Sequence, residues 1–157
     1  MNKISSLKRN KLIKRAVEII MDTPEGLFST VDFLGMPHTR WMVGVPDEGI
    51  SPIYTLTSVD SRKVKHIREC PKVCWLFSTP HQADVVTLYG QARVLESMKV
   101  RALERAWDRL IQGANANVMG PVNNPTRYCA IETVVERCEF ISSGMGIITP
   151  QLLYRCD

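Results

Sequence analysis

The stretch Tyr54-Thr55-Leu56-Thr57-Ser58-Val59-Asp60-Ser61-Arg62-Lys63 carries the strongest fold signal in this sequence. Its first half is aromatic and β-branched and predicts the end of a strand, and its second half predicts a short helix with Asp60 or Ser61 as the N-cap. Arg62 and Lys63 then fall in the first turn, where the helix dipole already disfavours cations. A bound phosphate would offset these charges by accepting bonds from backbone N–H groups, the Ser61 hydroxyl and both side chains. The alternative is a solvated Arg-Lys pair on an ordinary helix.

A second informative segment lies upstream, where residues 38–43 read His-Thr-Arg-Trp-Met-Val. Alternation along a strand places Arg40 and Met42 on the same face. An arginine that points inward needs a partner, because an unpaired buried charge is costly. A ligand phosphate is one candidate partner, and the carboxylate of Asp32 or Glu48 is the other.

The remaining patterns predict a mainly β domain with peripheral helices. Apolar residues at helical spacing predict a first helix over residues 1–22 and another over 97–112, followed by a loop at 113–126. Strands are predicted at residues 27–33, 38–45, 50–57, 73–77, 85–95 and, as the last one, 127–142. Gly90 inside a strand predicts a bulge or a sharp bend. About six antiparallel strands favour a small barrel, because closure removes exposed edges, and a flat sheet covered by helices fits nearly as well.

Length, charge and cysteine content exclude several classes of protein. The 157 residues predict a single domain, 1–157. No run approaches the ~20 apolar residues of a membrane span, so we expect a cytoplasmic protein with no membrane partner. Much of the net charge of +4 comes from basic residues within 8–15, which we interpret as the solvent-exposed face of the first helix. No nucleic-acid partner is therefore predicted. The five cysteines and three histidines show no spacing typical of a disulfide framework or of a metal site.

Five segments, in this order, resemble the pyridoxamine 5′-phosphate oxidase-like FMN-binding split barrels, and most closely the small bacterial general stress proteins. The segments are Ser29-Thr30-Val31-Asp32, Gly35-Met36-Pro37-His38-Thr39-Arg40-Trp41-Met42, Leu56-Thr57-Ser58-x-x-Ser61-Arg62-Lys63, Cys70-Pro71-Lys72-Val73 and Leu88-Tyr89-Gly90-Gln91-Ala92. The resemblance covers residues 27–95 well and the rest of the chain loosely.

This resemblance implies a split β-barrel that forms a homodimer, with FMN held at the subunit interface. By motif position, three groups of residues would bind the cofactor: Arg40, Trp41, Met42 and Val43 along the flavin, Leu56, Thr57 and Ser58 lining another part of it, and Ser61, Arg62 and Lys63 holding the phosphate. FAD and haem are less favoured cofactors, and no catalytic side chain is assigned.

The function that the resemblance implies is an FMN-dependent oxidoreductase acting on a small, unidentified substrate. A non-catalytic flavin-binding stress-response protein and a haem-binding relative of the same barrel are the alternatives. Oxidation of pyridoxamine phosphate itself is not implied, since Val45 and Val85 replace a Lys and a Gln of the oxidases, and residues 152–157 lack their Trp- and Arg-rich tail.

Overall fold

The computed structural model describes residues 5–95 and 127–155, most of which belong to one antiparallel β-sheet. The strands are β1 (Glu25–Val31), β2 (Pro37–Val43), β3 (Val45–Pro46), β4 (Ile53–Ser58), β5 (Lys72–Ser78), β6 (Asp84–Leu95), β7 (Tyr128–Ser142) and β8 (Ile147–Arg155). Two α-helices are described, α1 (Ser6–Asp22) and α2 (Arg62–Glu69), together with a 3-10 turn at Pro80–Gln82. The helix and loop predicted for residues 97–126 lie outside the described residues.

The strand order shows that the sheet curls on itself. The order is β2-β1-β5-β6-β7-β4-β3, with β8 paired to β7, and every pairing is antiparallel. Strands β2 and β3 stand at opposite ends of this order, although Gly44 is the only residue between them. The two ends of the sheet must therefore meet, and we call the line where β2 faces β3 and β4 the seam. This curled sheet confirms the predicted split barrel and excludes the flat alternative.

A stack of aromatic rings forms the centre of the barrel. The Trp75 ring lies 4.3 Å from that of Phe28 and 5.3 Å from that of Phe77, measured between centroids, and all three side chains are fully buried. Helix α1 packs its apolar stripe against this core through Leu12, Ala16, Ile19 and Ile20. The amphipathic first helix predicted from the sequence is confirmed, and Ser5 is its N-cap.

Gly90 behaves as its position in a strand predicts. The register between β6 and β7 shifts between Tyr89 and Gly90. A Cβ atom on Gly90 would lie 2.1 Å from the backbone oxygen of Val134, so no larger residue fits without a movement of the backbone.

The prediction of residues 127–142 as the last strand was wrong, because β8 follows it. The described residues contain eight strands, one of them the two-residue β3, rather than about six. Pro150 lies within β8, and a proline is tolerated there because, among the described residues, β8 pairs on one side only, with β7.

Candidate functional site

Three cations converge where β2 faces the start of α2 across the seam. Arg40 projects from the inward face of β2, and Arg62 and Lys63 form the first turn of α2. Burial lowers the pKa of Lys63, and the positive charges of Arg40 and Arg62 lower it further. We call these three residues the cationic cluster.

Arg40 is held by hydrogen bonds to neutral oxygens. One guanidinium nitrogen donates to the Thr30 hydroxyl at 2.8 Å and to the carbonyl oxygen of Phe28 at 3.3 Å. Burial lowers the pKa of Arg40, and the charge of Arg62 adds to this effect. From the sequence, the partner of an inward Arg40 was predicted to be either a ligand phosphate or a carboxylate. Within residues 5–95 and 127–155, no carboxylate pairs with it.

The two proposed carboxylate partners of Arg40 are placed elsewhere. Asp32 bonds to His38, with 2.9 Å between its Oδ2 and the histidine Nε2, and Glu48 is exposed. The hydrogen bond from His38 is the main cause of the lowered pKa of Asp32, and the backbone N–H of Met36 adds to it. Of the two alternatives, only the ligand phosphate stays open for Arg40 in the part of the chain that the structure describes.

Thr57 links the end of β4 to the start of α2. Its buried hydroxyl accepts a hydrogen bond from Lys63 Nζ at 2.8 Å and donates one to the Ser61 hydroxyl at 3.3 Å. Ser61 occupies the N-cap position of α2, but its side chain makes no capping hydrogen bond. The N–H group of Val64 donates to the Ser61 carbonyl at 3.0 Å, so the N–H groups of Arg62 and Lys63 are the ones that the Ser61 side chain leaves for a ligand, next to the cationic cluster.

This arrangement fits a phosphate group. Hydroxyl groups, helix N–H groups and cations are the donors that bind phosphate in proteins. Among the described residues, no carboxylate lies within ion-pair distance of any member of the cationic cluster. An anion of two negative charges would offset both the mutual repulsion of the cations and the cost of their partial burial.

A second group of polar side chains contacts Arg40 through Thr30, and no role for it was predicted from the sequence. Thr30 is fully buried, and its hydroxyl lies 3.0 Å from Nδ1 of His66. The ring of His66 lies 4.7 Å from that of His38, with 43° between the planes. Burial lowers the pKa of His66, and the charges of His38 and Arg40 contribute after it. The only sequence signals were the alternation that puts Thr30 on the same face as Phe28 and the three-residue spacing of Lys63 and His66 on a helix.

The other predicted site residues of β2, Trp41, Met42 and Val43, differ in exposure. The side chain of Trp41 is 69% exposed on the face of β2 opposite Arg40, while Met42 is half-buried against the core and Val43 is buried. The structure thus brings together the side chains of Arg40, Thr57, Ser61, Arg62 and Lys63. It does not bring the side chain of Trp41 to them.

The end of β4 likewise turns its side chains in different directions. Leu56 is buried on the face opposite Thr57, and Ser58 is exposed where the strand ends. Contacts of Leu56 and Ser58 with a flavin stay predictions.

Two further predictions concern metals and membranes. Within the described residues, no group of three or more His, Cys, Asp and Glu side chains is arranged to hold a metal ion. Over the same residues, none of the helices has the length and apolar character needed to cross a membrane.

Comparison with solved structures shows what the fold is similar to. General stress protein 26 from Bacillus anthracis aligns with a TM-score of 0.69 and 20% identity, covering 91% of this chain and 98% of that chain. A haem-binding protein from Mycobacterium smegmatis aligns with a TM-score of 0.66 and 16% identity, covering 98% of this chain and 60% of that one. A protein described as an F420 reductase aligns with a TM-score of 0.61 and 15% identity, covering 77% of this chain and 94% of the other. At identities this low, the three structural alignments show a shared fold alone.

Comparison with protein families is more specific. A search of curated proteins found no match. The family described as pyridoxamine 5′-phosphate oxidase matches residues 12–141, which is most of the chain and includes every residue of the cationic cluster. The chain therefore belongs to the pyridoxamine 5′-phosphate oxidase family.

Proposed function

We propose that this chain is a flavoprotein in which the cationic cluster holds the phosphate of FMN. The observation that carries the proposal is the convergence of Arg40, Arg62 and Lys63, whose charges act on one another, with no carboxylate partner among the described residues. A hydrogen bond to a charged group contributes ~1.5–3 kcal/mol, so a phosphate that engages several of these donors gains a large part of the affinity of a tight ligand.

Family membership and the exposure of several apolar side chains support a position for the flavin ring of the cofactor. We place the flavin ring against the main chain of residues 40–43 and 56–58, at the interface of a homodimer. The indole of Trp41 is 69% exposed in the single chain, and Phe33, Leu34 and Met36 in the connection between β1 and β2 are exposed as well. Contiguous exposed apolar side chains are typical of surfaces that another chain covers.

The proposed activity is an oxidoreduction of a small substrate. FMN supplies hydride and electron transfer when it is bound, and the protein supplies binding, orientation and exclusion of water. In this chain Arg40, Thr57, Ser61, Arg62 and Lys63 would bind the phosphate, and no side chain is assigned to move a proton.

Absorption spectroscopy of the purified protein tests the cofactor. We expect the absorption bands of oxidised flavin, either as purified or after addition of FMN. A protein that stays colourless and fails to bind added FMN contradicts the proposal. A Soret band would instead favour haem, the second candidate, with one of the three histidines, His38, His66 or His81, as the axial ligand.

Substitution of the cluster tests the residues. Replacing Arg62 and Lys63 by alanine should weaken FMN binding by at least about tenfold and leave riboflavin binding nearly unchanged, because only FMN carries the phosphate. Lys65→Ala is the matched control, since Lys65 is exposed on the same helix. Equal losses for FMN and riboflavin would show that the two cations do not hold the phosphate.

Reduction assays separate an enzyme from a non-catalytic flavin-binding protein. We expect the bound FMN to be reduced by a nicotinamide cofactor and reoxidised by an acceptor. Bound FMN that no donor reduces across a panel would favour the stress-response role.

A further inference from the structure

The buried hydroxyl of Thr30 connects the cationic cluster to a histidine. Its oxygen lies 2.8 Å from a guanidinium nitrogen of Arg40 and 3.0 Å from Nδ1 of His66. Thr30 and His66 are both buried. A buried hydroxyl proton needs an acceptor, because leaving it unpaired costs about as much as a lost hydrogen bond.

The chemistry of the three groups fixes the direction of the bond from Arg40 to Thr30 and favours one direction for the bond between Thr30 and His66. A guanidinium group only donates, so Thr30 accepts from Arg40. Among the described residues, the other neighbour of the Thr30 hydroxyl is Nδ1 of His66, so the hydroxyl proton has a partner there only when Nδ1 accepts it. A ring nitrogen that accepts is unprotonated, so His66 is neutral with its proton on Nε2.

We propose that Thr30 and His66 are positioning residues that orient Arg40 for the FMN phosphate. His66 fixes the rotation of the Thr30 hydroxyl, and that hydroxyl together with the Phe28 carbonyl holds the guanidinium towards the site. The inference rests on the proposed function and deepens it, because it makes the preference for FMN over riboflavin depend on two residues that do not touch the phosphate.

The surroundings of His66 favour its neutral form. Among the described residues, His38 and Arg40 on β2 and Arg62 on its own helix lower the pKa of His66, and the Asp32 carboxylate raises it. Protonation of Nδ1 would also leave the Thr30 hydroxyl with two donors and its own proton unpaired in a buried place. Charge and hydrogen bonding therefore act in the same direction.

Substitution of Thr30 tests the role in positioning. Thr30→Val keeps the shape and removes the acceptor, so FMN affinity should fall at least about fivefold while riboflavin affinity stays within about twofold of wild type. Thr30→Ser retains the hydroxyl and should restore FMN affinity. Thr133→Val is the matched control, because Thr133 is equally buried and its hydroxyl accepts from Trp75 Nε1 in the core, away from the cluster. Thermal unfolding of all three variants reports any loss of folding.

Nitrogen NMR of the histidine rings tests the direction of the hydrogen bonds without a ligand. At neutral pH we expect His66 to show the chemical shifts of a neutral ring protonated on Nε2, and Thr30→Val to move the Nδ1 resonance. His66→Leu should mimic the FMN-specific loss of Thr30→Val, whereas His66→Asn offers an acceptor near Nδ1 and should retain more affinity.

The outcomes separate this inference from the proposed function. If wild type prefers FMN over riboflavin and Thr30→Val keeps the same preference, the inference is overturned and the proposed function stays intact. A wild type that binds FMN and riboflavin equally overturns the phosphate site and the selectivity role together. A His66 ring protonated on Nδ1 overturns the inference whatever the ligand results.

Discussion

Replacement of Lys63 by methionine should weaken FMN binding without weakening the fold. Methionine has a comparable unbranched chain and no charge, so the change removes the ammonium group and little packing. The variant loses the bond from Nζ to the Thr57 hydroxyl at 2.8 Å and relieves the repulsion of Lys63 by Arg40 and Arg62. Since no carboxylate pairs with Lys63 in the part of the chain that the structure describes, the change breaks no ion pair among those residues.

The magnitudes follow from these contacts. A charge-assisted hydrogen bond to phosphate is worth ~1.5–3 kcal/mol, which corresponds to a Kd for FMN about 10- to 100-fold higher in Lys63→Met. The free energy of unfolding without ligand should equal that of wild type or exceed it by up to ~1 kcal/mol. The variant loses the hydrogen bond from the ammonium to a hydroxyl, but it is also freed from the repulsion between the cations and from the cost of burying a charge. The difference in free energy of unfolding between Lys63→Met and wild type should shrink as the pH rises through the lowered pKa of Lys63, because the wild-type amine is then neutral as well.

Fluorescence titration with FMN and riboflavin, and urea unfolding without ligand, measure the two effects. Lys65→Met is the control, since Lys65 is exposed two residues further along α2. An unchanged Kd for FMN, or an equal loss for riboflavin, would refute the assignment of Lys63 to the phosphate. A clear loss of stability without ligand would refute the argument that the cluster is electrostatically strained.

Two further predictions concern the barrel itself. Gly90→Ala should lower the free energy of unfolding by ~2 kcal/mol or more in urea, because its Cβ would lie 2.1 Å from a backbone oxygen, whereas Gly144→Ala, with open space around it, should change stability little. Tyr54 donates to Glu132 at 2.8 Å, and burial followed by this bond raises its pKa from 10.0 to about 12. A difference titration of wild type against Tyr54→Phe should therefore show the absorbance change of phenolate formation near pH 12. The stability contributed by Tyr54 should be complete below pH 10 and decline as the pH rises towards 12. A difference titration centred near pH 10 would contradict this environment for Tyr54.

The sequence predicted those parts of the site that depend on local pattern. Alternation along β2 placed Arg40 and Met42 on one face, and the start of α2 placed two cations at a helix N-terminus that lacks acidic residues. Both are properties of a few consecutive residues, and the structure confirms both. The bend at Gly90 was predictable for the same reason.

The parts that were not predicted depend on which elements become neighbours. Thr30 and His66 are far apart in the sequence, and their contact follows from α2 packing against β1. Strand β8 was missed because Gly144, Gly146 and Pro150 give this region the composition of a loop. An edge strand tolerates the proline, which no local pattern reveals.

The seam has a consequence for how binding and motion are related. The cationic cluster has Arg40 on one side of the seam and Lys63 on the other, although a single residue, Gly44, separates β2 from β3. Opening the barrel along this line would separate the phosphate donors without the loss of any strand. Binding and local opening are thus competing equilibria. An anion held by both sides of the seam lowers the population of the open form, by a factor set by the ratio of its affinities for the closed and the open form. Protection of the backbone amides of β2 and β4 from hydrogen exchange would then measure occupancy of the site.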